Sequence, residues 1–193
     1  MIIQELSPLF VGIEQLPSSV VEATKDKVFE YLTISELSAP KTEIVKTSYK
    51  QDENFLETAD LVELQEEIYK NSSMFMNSIG CYDDFRIVSW LNVFEKNAME
   101  QDHYHFSALM SGVYYVDCES DDSSGCFVIP DQIPQREQYR VSNRLEIIDH
   151  HTITPIPGRL LMFESWVRHG VYPNKNSKPR ISIAFNIEKT ACL

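Results

Sequence analysis

The chain has 193 residues, of which 43% are hydrophobic and 24% charged, a composition typical of a folded globular protein with a substantial core. Its formal net charge of -12 argues against a dominant basic patch, so neither nucleic acid nor an anionic membrane surface is an expected partner. No apolar stretch reaches the roughly 18–20 residues of a membrane span, and the start lacks the basic and apolar regions of a secretory signal.

The cysteines give a second constraint. None of the four stands in a C-x-x-C spacing, which argues against a structural zinc site and favours free thiols in a reducing cytosol. We therefore expect a cytoplasmic protein. Cys118 and Cys126 flank an acidic turn, and a disulfide across that turn is the minor alternative.

The part of the chain before residue 81 shows helical patterns. Residues 17–32 and 58–76 place apolar side chains at helical spacing, and each segment predicts a helix. Residues 41–54 are polar and predict a loop or an edge strand. Three residues are candidate N-caps of the two helices: Ser18, Ser19 and Thr58.

After residue 81 the pattern changes to short apolar runs separated by turn residues. This spacing is typical of a β-sandwich or a small barrel. We expect one mainly β domain over residues 1–193, in which helices within 1–80 support a β core within 81–193. Seven strands are predicted, at residues 85–94, 105–116, 126–130, 145–155, 158–165, 167–173 and 180–189.

Histidines are the first candidates for chemistry. His103 and His105 are two residues apart in a segment predicted to be extended, so their side chains project from the same face. Two imidazoles on one face can bind one metal ion, and imidazole suits iron, zinc, copper and nickel. His169 lies between two apolar runs and is the natural third ligand. The alternative is a pair of exposed histidines at the end of a strand.

The other two histidines, His150 and His151, are adjacent in a strand-like segment and point to opposite faces. Both side chains cannot easily reach one ion, so we interpret them as surface residues.

Arg180 opens the last predicted strand and shares a face with Ser182. An arginine on the inner face of a β-structure is costly unless it meets an anion, and its planar guanidinium suits a carboxylate. Ser182 could donate a further hydrogen bond to the same anion. The alternative is an exposed or ion-paired arginine at the start of a strand.

Four segments, in this order along the chain, resemble the iron(II)- and 2-oxoglutarate-dependent oxygenase superfamily: SGVYYV after the H-x-H pair, SGCFVIPD, PIPGRLLMFESWVRHGVYPN and PRISIAFN. They are most similar to the small 2OG-Fe(II) oxygenase family that is also found in phages and marine bacteria, which is related to the prolyl-hydroxylase group. The resemblance covers about residues 85–189. It implies a double-stranded β-helix, or jelly roll, and a host-cell cytoplasmic location if a phage encodes the chain.

The resemblance also implies a cofactor set and a reaction. Fe(II) would be bound by His103, His105 and His169, with 2-oxoglutarate as co-substrate and O2 as oxidant. The implied reaction hydroxylates a peptide or small-molecule substrate while 2-oxoglutarate is decarboxylated to succinate. No motif identifies that substrate, and an exposed edge strand could mediate a homodimer.

The same resemblance implies that four residues bind the co-substrate. Arg180 would bind the remote carboxylate of 2-oxoglutarate, with Ser182 beside it. Tyr115 occupies the place where related enzymes often direct a tyrosine hydroxyl at that carboxylate. Asn92, on the preceding strand, would also contact the co-substrate.

The chain departs from the superfamily at its second metal ligand. Most members have H-x-D or H-x-E, whereas this chain has His105 at that position. Asp102 is the alternative carboxylate, although it points to the opposite face of an extended chain. Three neutral imidazoles, Fe(II) and dianionic 2-oxoglutarate sum to zero charge instead of minus one. An inactive relative that only binds metal is therefore an open alternative.

Two further functions are compatible with these patterns. A cupin-type metal enzyme shares the jelly roll, the H-x-H pair and a P-x-G turn. However, no carboxylate follows soon after His105, and His169 lies eleven residues past Gly158 instead of shortly after the turn. A non-catalytic jelly-roll binding module, for instance in a phage particle, predicts that the histidines and Arg180 are dispersed over the surface.

Overall fold

The computed structural model describes residues 9–37, 44–49, 51–52, 54–81, 84–130, 132 and 150–190. Within these ranges the chain forms three helices: α1 (Ser18–Ile34), α2 (Phe55–Thr58) and α3 (Val62–Ser78). The strands are β1 (Val11–Gln15), β2 (Val45–Thr47), β3 (Phe85–Phe94), β4 (Glu100–His103), β5 (Met110–Asp117), β6 (Phe127–Pro130), β7 (His150–Ile153), β8 (Arg159–Glu164), β9 (His169–Val171) and β10 (Arg180–Lys189).

The strands form two antiparallel sheets. The larger sheet has six strands in the order β1-β8-β5-β10-β3-β2, and the smaller has four in the order β4-β9-β6-β7. This is the predicted double-stranded β-helix with helices that precede most of its strands, so the predicted fold class is confirmed. None of the helices among the described residues is long and apolar enough to cross a membrane.

Both helical segments are confirmed, but their predicted N-caps are wrong. Pro17 is the N-cap of α1, and its carbonyl accepts hydrogen bonds from the N–H groups of Val20 and Val21. Thr58 ends α2 instead of capping the next helix, because the chain turns at Asp60, whose φ is 51°. Apolar periodicity identifies a helix, whereas the position of its first residue depends on such local turns.

The predicted strand over residues 105–116 is confirmed from Met110 onward, but its predicted start is wrong, because residues 105–109 belong to no strand. β4 ends at His103 in the smaller sheet, and β5 begins at Met110 in the larger sheet. Between them the chain crosses from one sheet to the other. The two histidines therefore do not begin the SGVYYV strand.

β1 and β2 occupy the two edges of the larger sheet, where β1 pairs with β8 and β2 pairs with β3. β1 lies in a segment without a predicted strand. β2 confirms the edge-strand alternative for residues 41–54.

Apolar side chains cover both faces of the larger sheet. One face packs on the helices through residues such as Val28, Leu64 and Ile183. The other face packs on the smaller sheet and includes Tyr115 and Phe163. Alternation along β10 therefore directs Ile181 and Ile183 to the helices and leaves Arg180 and Ser182 for the space between the sheets.

The described cysteines are free thiols. Cys118 and Cys126 are buried, and Cys81 is half-buried. The free-thiol expectation is confirmed for these three residues, and a disulfide between Cys118 and Cys126 is not formed. Cys192 lies outside the described residues.

Candidate active site

Pairing of β4 with β9 brings the histidines of distant segments together. His103 and His169 are direct partners in the antiparallel register. Beyond the end of β4, the His105 N–H donates to the Ser165 carbonyl at 2.9 Å, which continues the alignment of the two segments. Gly170 permits this close approach, because a Cβ there would lie 2.6 Å from a carboxylate oxygen of Asp102. The pairing of two short strands thus brings together histidines that are far apart in the sequence.

The three imidazoles form a compact group, in which one nitrogen from each ring lies within 4.8 Å of the others. The ring centroids of His103 and His169 are 4.3 Å apart, and His105 lies 5.1 Å from His103 and 5.3 Å from His169. Three nitrogen donors at these separations can bind a single metal ion. The dispersed histidines expected for a non-catalytic module are not what the structure contains.

Two of the imidazoles are oriented by backbone carbonyls. Nδ1 of His103 lies 2.8 Å from the Gln101 carbonyl oxygen, and Nδ1 of His169 lies 2.8 Å from the Val167 carbonyl oxygen. A carbonyl oxygen only accepts hydrogen bonds, so each Nδ1 carries the proton in the neutral ring. The lone pair is then on Nε2, the state in which imidazole ligates a metal.

Burial keeps His105 and His169 neutral. His169 is 4% exposed and packs between the rings of Phe127 and Phe163. Burial, with a smaller contribution from His103, lowers the pKa of His105 to about 4. Burial likewise lowers the pKa of His169 to about 3. Protons therefore do not compete for these two imidazoles at neutral pH.

The same shifts predict how stability depends on pH in the metal-free protein. In the unfolded chain both imidazoles bind a proton below their ordinary pKa of 6.5, whereas in the folded protein they stay neutral until about pH 4 and 3. Stability is therefore full above pH 6.5 and falls as the pH decreases. We expect denaturant unfolding to lose about 1–2 kcal/mol per imidazole between about pH 7 and about pH 5. His169→Gln should reduce this loss, and an unchanged loss would contradict the neutral, buried state of His169.

The remaining histidines and Asp102 lie outside this group. His150 and His151 are exposed on β7, as expected. A carboxylate oxygen of Asp102 lies 3.9 Å from Nε of Arg168, and Asp102 is not among the groups whose donor atoms converge. The geometry thus favours His105 over Asp102 as the second donor.

Arg180 is 3% exposed and lies at the start of β10. Its Nη1 donates to the Gly125 carbonyl at 2.6 Å, and its guanidinium carbon lies 4.3 Å from the ring centroid of Phe94. Among the described residues, nothing accepts a hydrogen bond from its Nε, and no carboxylate lies within ion-pair distance of it. A buried cation in this state has unused capacity for an anion.

The turn that supplies the Gly125 carbonyl requires glycine. The φ of Gly125 is +80°, and a Cβ on this residue would lie 2.6 Å from the Tyr172 carbonyl oxygen and 3.1 Å from Nη1 of Arg180. A larger residue would disturb the backbone that contacts the guanidinium.

The other three residues predicted for the co-substrate form a row across the larger sheet. Ser182 pairs with Asn92 on β3 and with Tyr115 on β5. Ser182 and Tyr115 are buried, at 2% and 1% exposure. The Asn92 amide contacts Thr47 Oγ1 at 2.7 Å, so this side chain already has a partner in the protein.

Tyr115 lies near both Arg180 and the two rings that flank His169. It packs in the cluster that contains Phe127 and Phe163, the two rings that flank His169. Burial raises the pKa of its hydroxyl above the usual range, with Arg180 acting in the opposite direction. The hydroxyl is therefore a neutral hydrogen-bond donor in the space between the sheets.

Several contributors to this site were not predicted from the sequence. The carbonyls of Gln101, Val167 and Gly125 orient side chains through the backbone, which leaves no signature in residue type. Phe94 was included in a predicted strand without a role. The aromatic side chains that follow the histidines in HYHF were visible in the sequence, but nothing there distinguished them from core residues.

A family model described as "Putative 2OG-Fe(II) oxygenase" matches residues 88–186, which include the three histidines and Arg180. The chain belongs to this family. Fe(II) and 2-oxoglutarate are the metal and co-substrate typical of these 2OG-Fe(II) oxygenases. A search of the curated proteins finds no match to the chain.

Solved structures of other oxygenases share the fold. A prolyl-4-hydroxylase of Pseudomonas putida is 15% identical, with a TM-score of 0.66 over 93% of this chain and 92% of that one. HygX from Streptomyces hygroscopicus, solved with nickel and 2-oxoglutarate bound, is 11% identical, with a TM-score of 0.67 over 94% and 83%. SnoN, an alpha ketoglutarate dependent epimerase from nogalamycin biosynthesis, is 11% identical, with a TM-score of 0.67 over 93% and 78%. At these identities the likeness concerns the fold.

Proposed function

We propose that this 2OG-Fe(II) oxygenase is a dioxygenase that hydroxylates a peptide or small-molecule substrate and converts 2-oxoglutarate to succinate. The proposal rests on the presence of two sites within one fold, one suited to a metal cation and the other to an anion. Three imidazole donors converge on one point, and a buried arginine without a carboxylate partner among the described residues lies in the same space between the sheets.

The residues present fit Fe(II). His103, His105 and His169 would bind it, two of them through Nε2 lone pairs that backbone carbonyls have already set. Imidazole is a suitable ligand for Fe(II), and a three-donor set leaves coordination positions for other groups. The neutral state of the buried rings means that binding need not displace protons from His105 or His169.

The residues present also fit a dicarboxylate. Arg180 would bind one carboxylate of 2-oxoglutarate through its guanidinium, whose Nε has no hydrogen-bond partner among the described residues. The Ser182 and Tyr115 hydroxyls lie on the same face and would donate hydrogen bonds to it. The Phe94 ring against the guanidinium and the Gly125 carbonyl would hold that cation in place.

When both are bound, Fe(II) and 2-oxoglutarate supply the oxidising chemistry: O2 and 2-oxoglutarate yield succinate and CO2, and one oxygen atom enters a C–H bond of the substrate. The chain supplies position and shielding. Tyr115, Phe127 and Phe163 line the space beside His169, and these buried rings would keep water away from it.

Tyr115→Phe tests the assignment of the hydroxyl. The substitution keeps the buried ring and removes one donor to a charged group, a loss of about 1.5–3 kcal/mol. We expect 2-oxoglutarate to bind about 10- to 100-fold more weakly, with Fe(II) affinity unchanged. Anaerobic titration of the Fe(II)-loaded variant measures both. Tyr114→Phe, which changes a buried tyrosine on the helix side of β5, is the matched control. Equal 2-oxoglutarate affinity in wild type and Tyr115→Phe would show that the Tyr115 hydroxyl does not bind 2-oxoglutarate.

The function itself is tested by turnover. Purified protein incubated with Fe(II), O2 and 2-oxoglutarate should form succinate, and removal of Fe(II) by a chelator should stop it. A cupin-type enzyme would leave 2-oxoglutarate unconverted, and an inactive relative would bind Fe(II) without forming succinate. Once a substrate is found, a product that gains one oxygen atom supports hydroxylation, whereas a product of unchanged composition indicates an epimerase.

A further inference from the structure

Three aromatic side chains beside the histidines are exposed. Tyr104 is 46% exposed, Phe106 is 88% exposed and Trp166 is 50% exposed. We call these three residues the aromatic platform. Tyr104 and Phe106 contact each other edge to face, with ring centroids 4.4 Å apart. Adjacent exposed aromatic rings form a larger apolar patch than scattered ones, and such patches commonly mark a binding surface.

The aromatic platform lines a cavity that reaches the metal-binding group. The cavity has a volume of about 240 Å³, and its wall consists of the three rings together with His105 and Ser165. The hydrogen bond from the His105 N–H to the Ser165 carbonyl fixes the two segments that carry these side chains. A ligand that fills the cavity would therefore touch the His105 side chain, one of the three donors.

The lining decides the chemistry of the occupant. It contains three aromatic rings, one imidazole and one hydroxyl, and no aspartate, glutamate, lysine or arginine of the described residues. A charged group would find no opposite charge in this wall, and a cation would also lie next to a site proposed for Fe(II). An apolar ring can stack on or pack edge to face against the three aromatic side chains.

We infer that the aromatic platform binds an uncharged, apolar ring of the primary substrate and so places neighbouring C–H bonds close to the metal. This inference rests on the proposed function, because it names the chemistry of that enzyme's substrate. It applies to a ring on a free small molecule and to a ring carried by a peptide side chain.

The two tryptophans make the inference measurable without turnover. The chain contains only Trp90 and Trp166, so its ¹⁵N-labelled form has two indole N–H signals. Metal-free protein is titrated with benzyl alcohol, and Trp166→Phe assigns the signals. We expect saturable shifts of the Trp166 signal with little change at Trp90. Equal shifts of both signals, or no shift of Trp166, would overturn the inference.

Phe106→Ala supplies the decisive variant, because an 88% exposed side chain can be truncated without loss of the fold. Loss of one aromatic contact should weaken benzyl alcohol binding about threefold to tenfold. Phe29→Ala is the matched control, since Phe29 is another exposed phenylalanine (40%) but lies on α1. Equal affinity in Phe106→Ala and Phe29→Ala would contradict the assignment.

Two further probes test whether the bound ring is uncharged and whether a peptide or a small molecule carries it. Benzylammonium should bind more weakly than benzyl alcohol, and tighter binding of the cation would overturn the claim of an uncharged ring. The peptide acetyl-Gly-Phe-Gly-amide is compared with benzyl alcohol: tighter binding of the peptide favours a polypeptide substrate, and tighter binding of the alcohol favours a small molecule. Fe(II) titration of the same samples distinguishes the two proposals, since metal binding without a Trp166 response refutes only this inference.

Discussion

Replacement of His169 by alanine is expected to weaken Fe(II) binding by at least about 100-fold, because even residues that only support a metal ligand often contribute 10- to 100-fold. His169 is the donor that the smaller sheet brings to the H-x-H pair, and its Nδ1 is already held by the Val167 carbonyl. Anaerobic titration with Fe(II), followed by a metal-sensitive probe or by calorimetry, measures the loss.

The controls for this prediction separate coordination from folding. His169 is buried between Phe127 and Phe163, so its truncation also costs stability. His103→Ala removes a less buried donor and should give a similar loss of Fe(II) affinity in a protein that remains folded by circular dichroism. His151→Ala changes an exposed histidine on β7 and should leave affinity unchanged. Wild-type affinity in His103→Ala and His169→Ala would refute the three-histidine site.

Replacement of Arg180 by methionine is expected to separate co-substrate binding from stability. Loss of a buried charge partner costs about 2–5 kcal/mol, so 2-oxoglutarate should bind about 30-fold to several thousand-fold more weakly. Fe(II) affinity should not change. In the absence of 2-oxoglutarate, unfolding should require the same or more denaturant, because methionine removes a buried cation that lacks a carboxylate partner among the described residues.

The matched control is Arg86→Met. Arg86 on β3 is exposed and pairs at 2.6 Å with Glu188 on β10, the strand that also carries Arg180. Its loss should change neither 2-oxoglutarate affinity nor stability by more than a few tenths of a kcal/mol, about the contribution of an exposed pair. A severe loss of stability in Arg180→Met with unchanged 2-oxoglutarate affinity would make Arg180 a structural residue.

The sequence predicts the elements of this site better than their arrangement. The alternation of Arg180, Ile181 and Ser182 correctly assigns the faces of β10, since the period of two is a property of the extended backbone. The same rule places His103 and His105 together. It could not show that the chain leaves one sheet after His103 and enters the other at Met110, because that crossing depends on pairing with β9 and β10, which are distant along the chain.

Contacts made by the backbone account for most of what the sequence did not reveal. The tautomers of His103 and His169 follow from carbonyl groups whose residue types carry no signal. The Gly125 carbonyl reaches Arg180 only because a turn with positive φ directs it there. Tyr104 and Phe106 alternate with the histidines in a way that resembles a buried strand, and their exposure follows from the chain ending β4 at this point.

The proposed function depends on one metal ion that the imidazoles of His103, His105 and His169 share. A crystal grown anaerobically with Fe(II), measured on both sides of the iron absorption edge, tests it most directly. We expect a single anomalous peak within ligand distance of all three rings, on the Nε2 side of His103 and His169. A peak bound by Asp102, a peak that contacts fewer than three of the rings, or no peak in Fe(II)-containing crystals would contradict it.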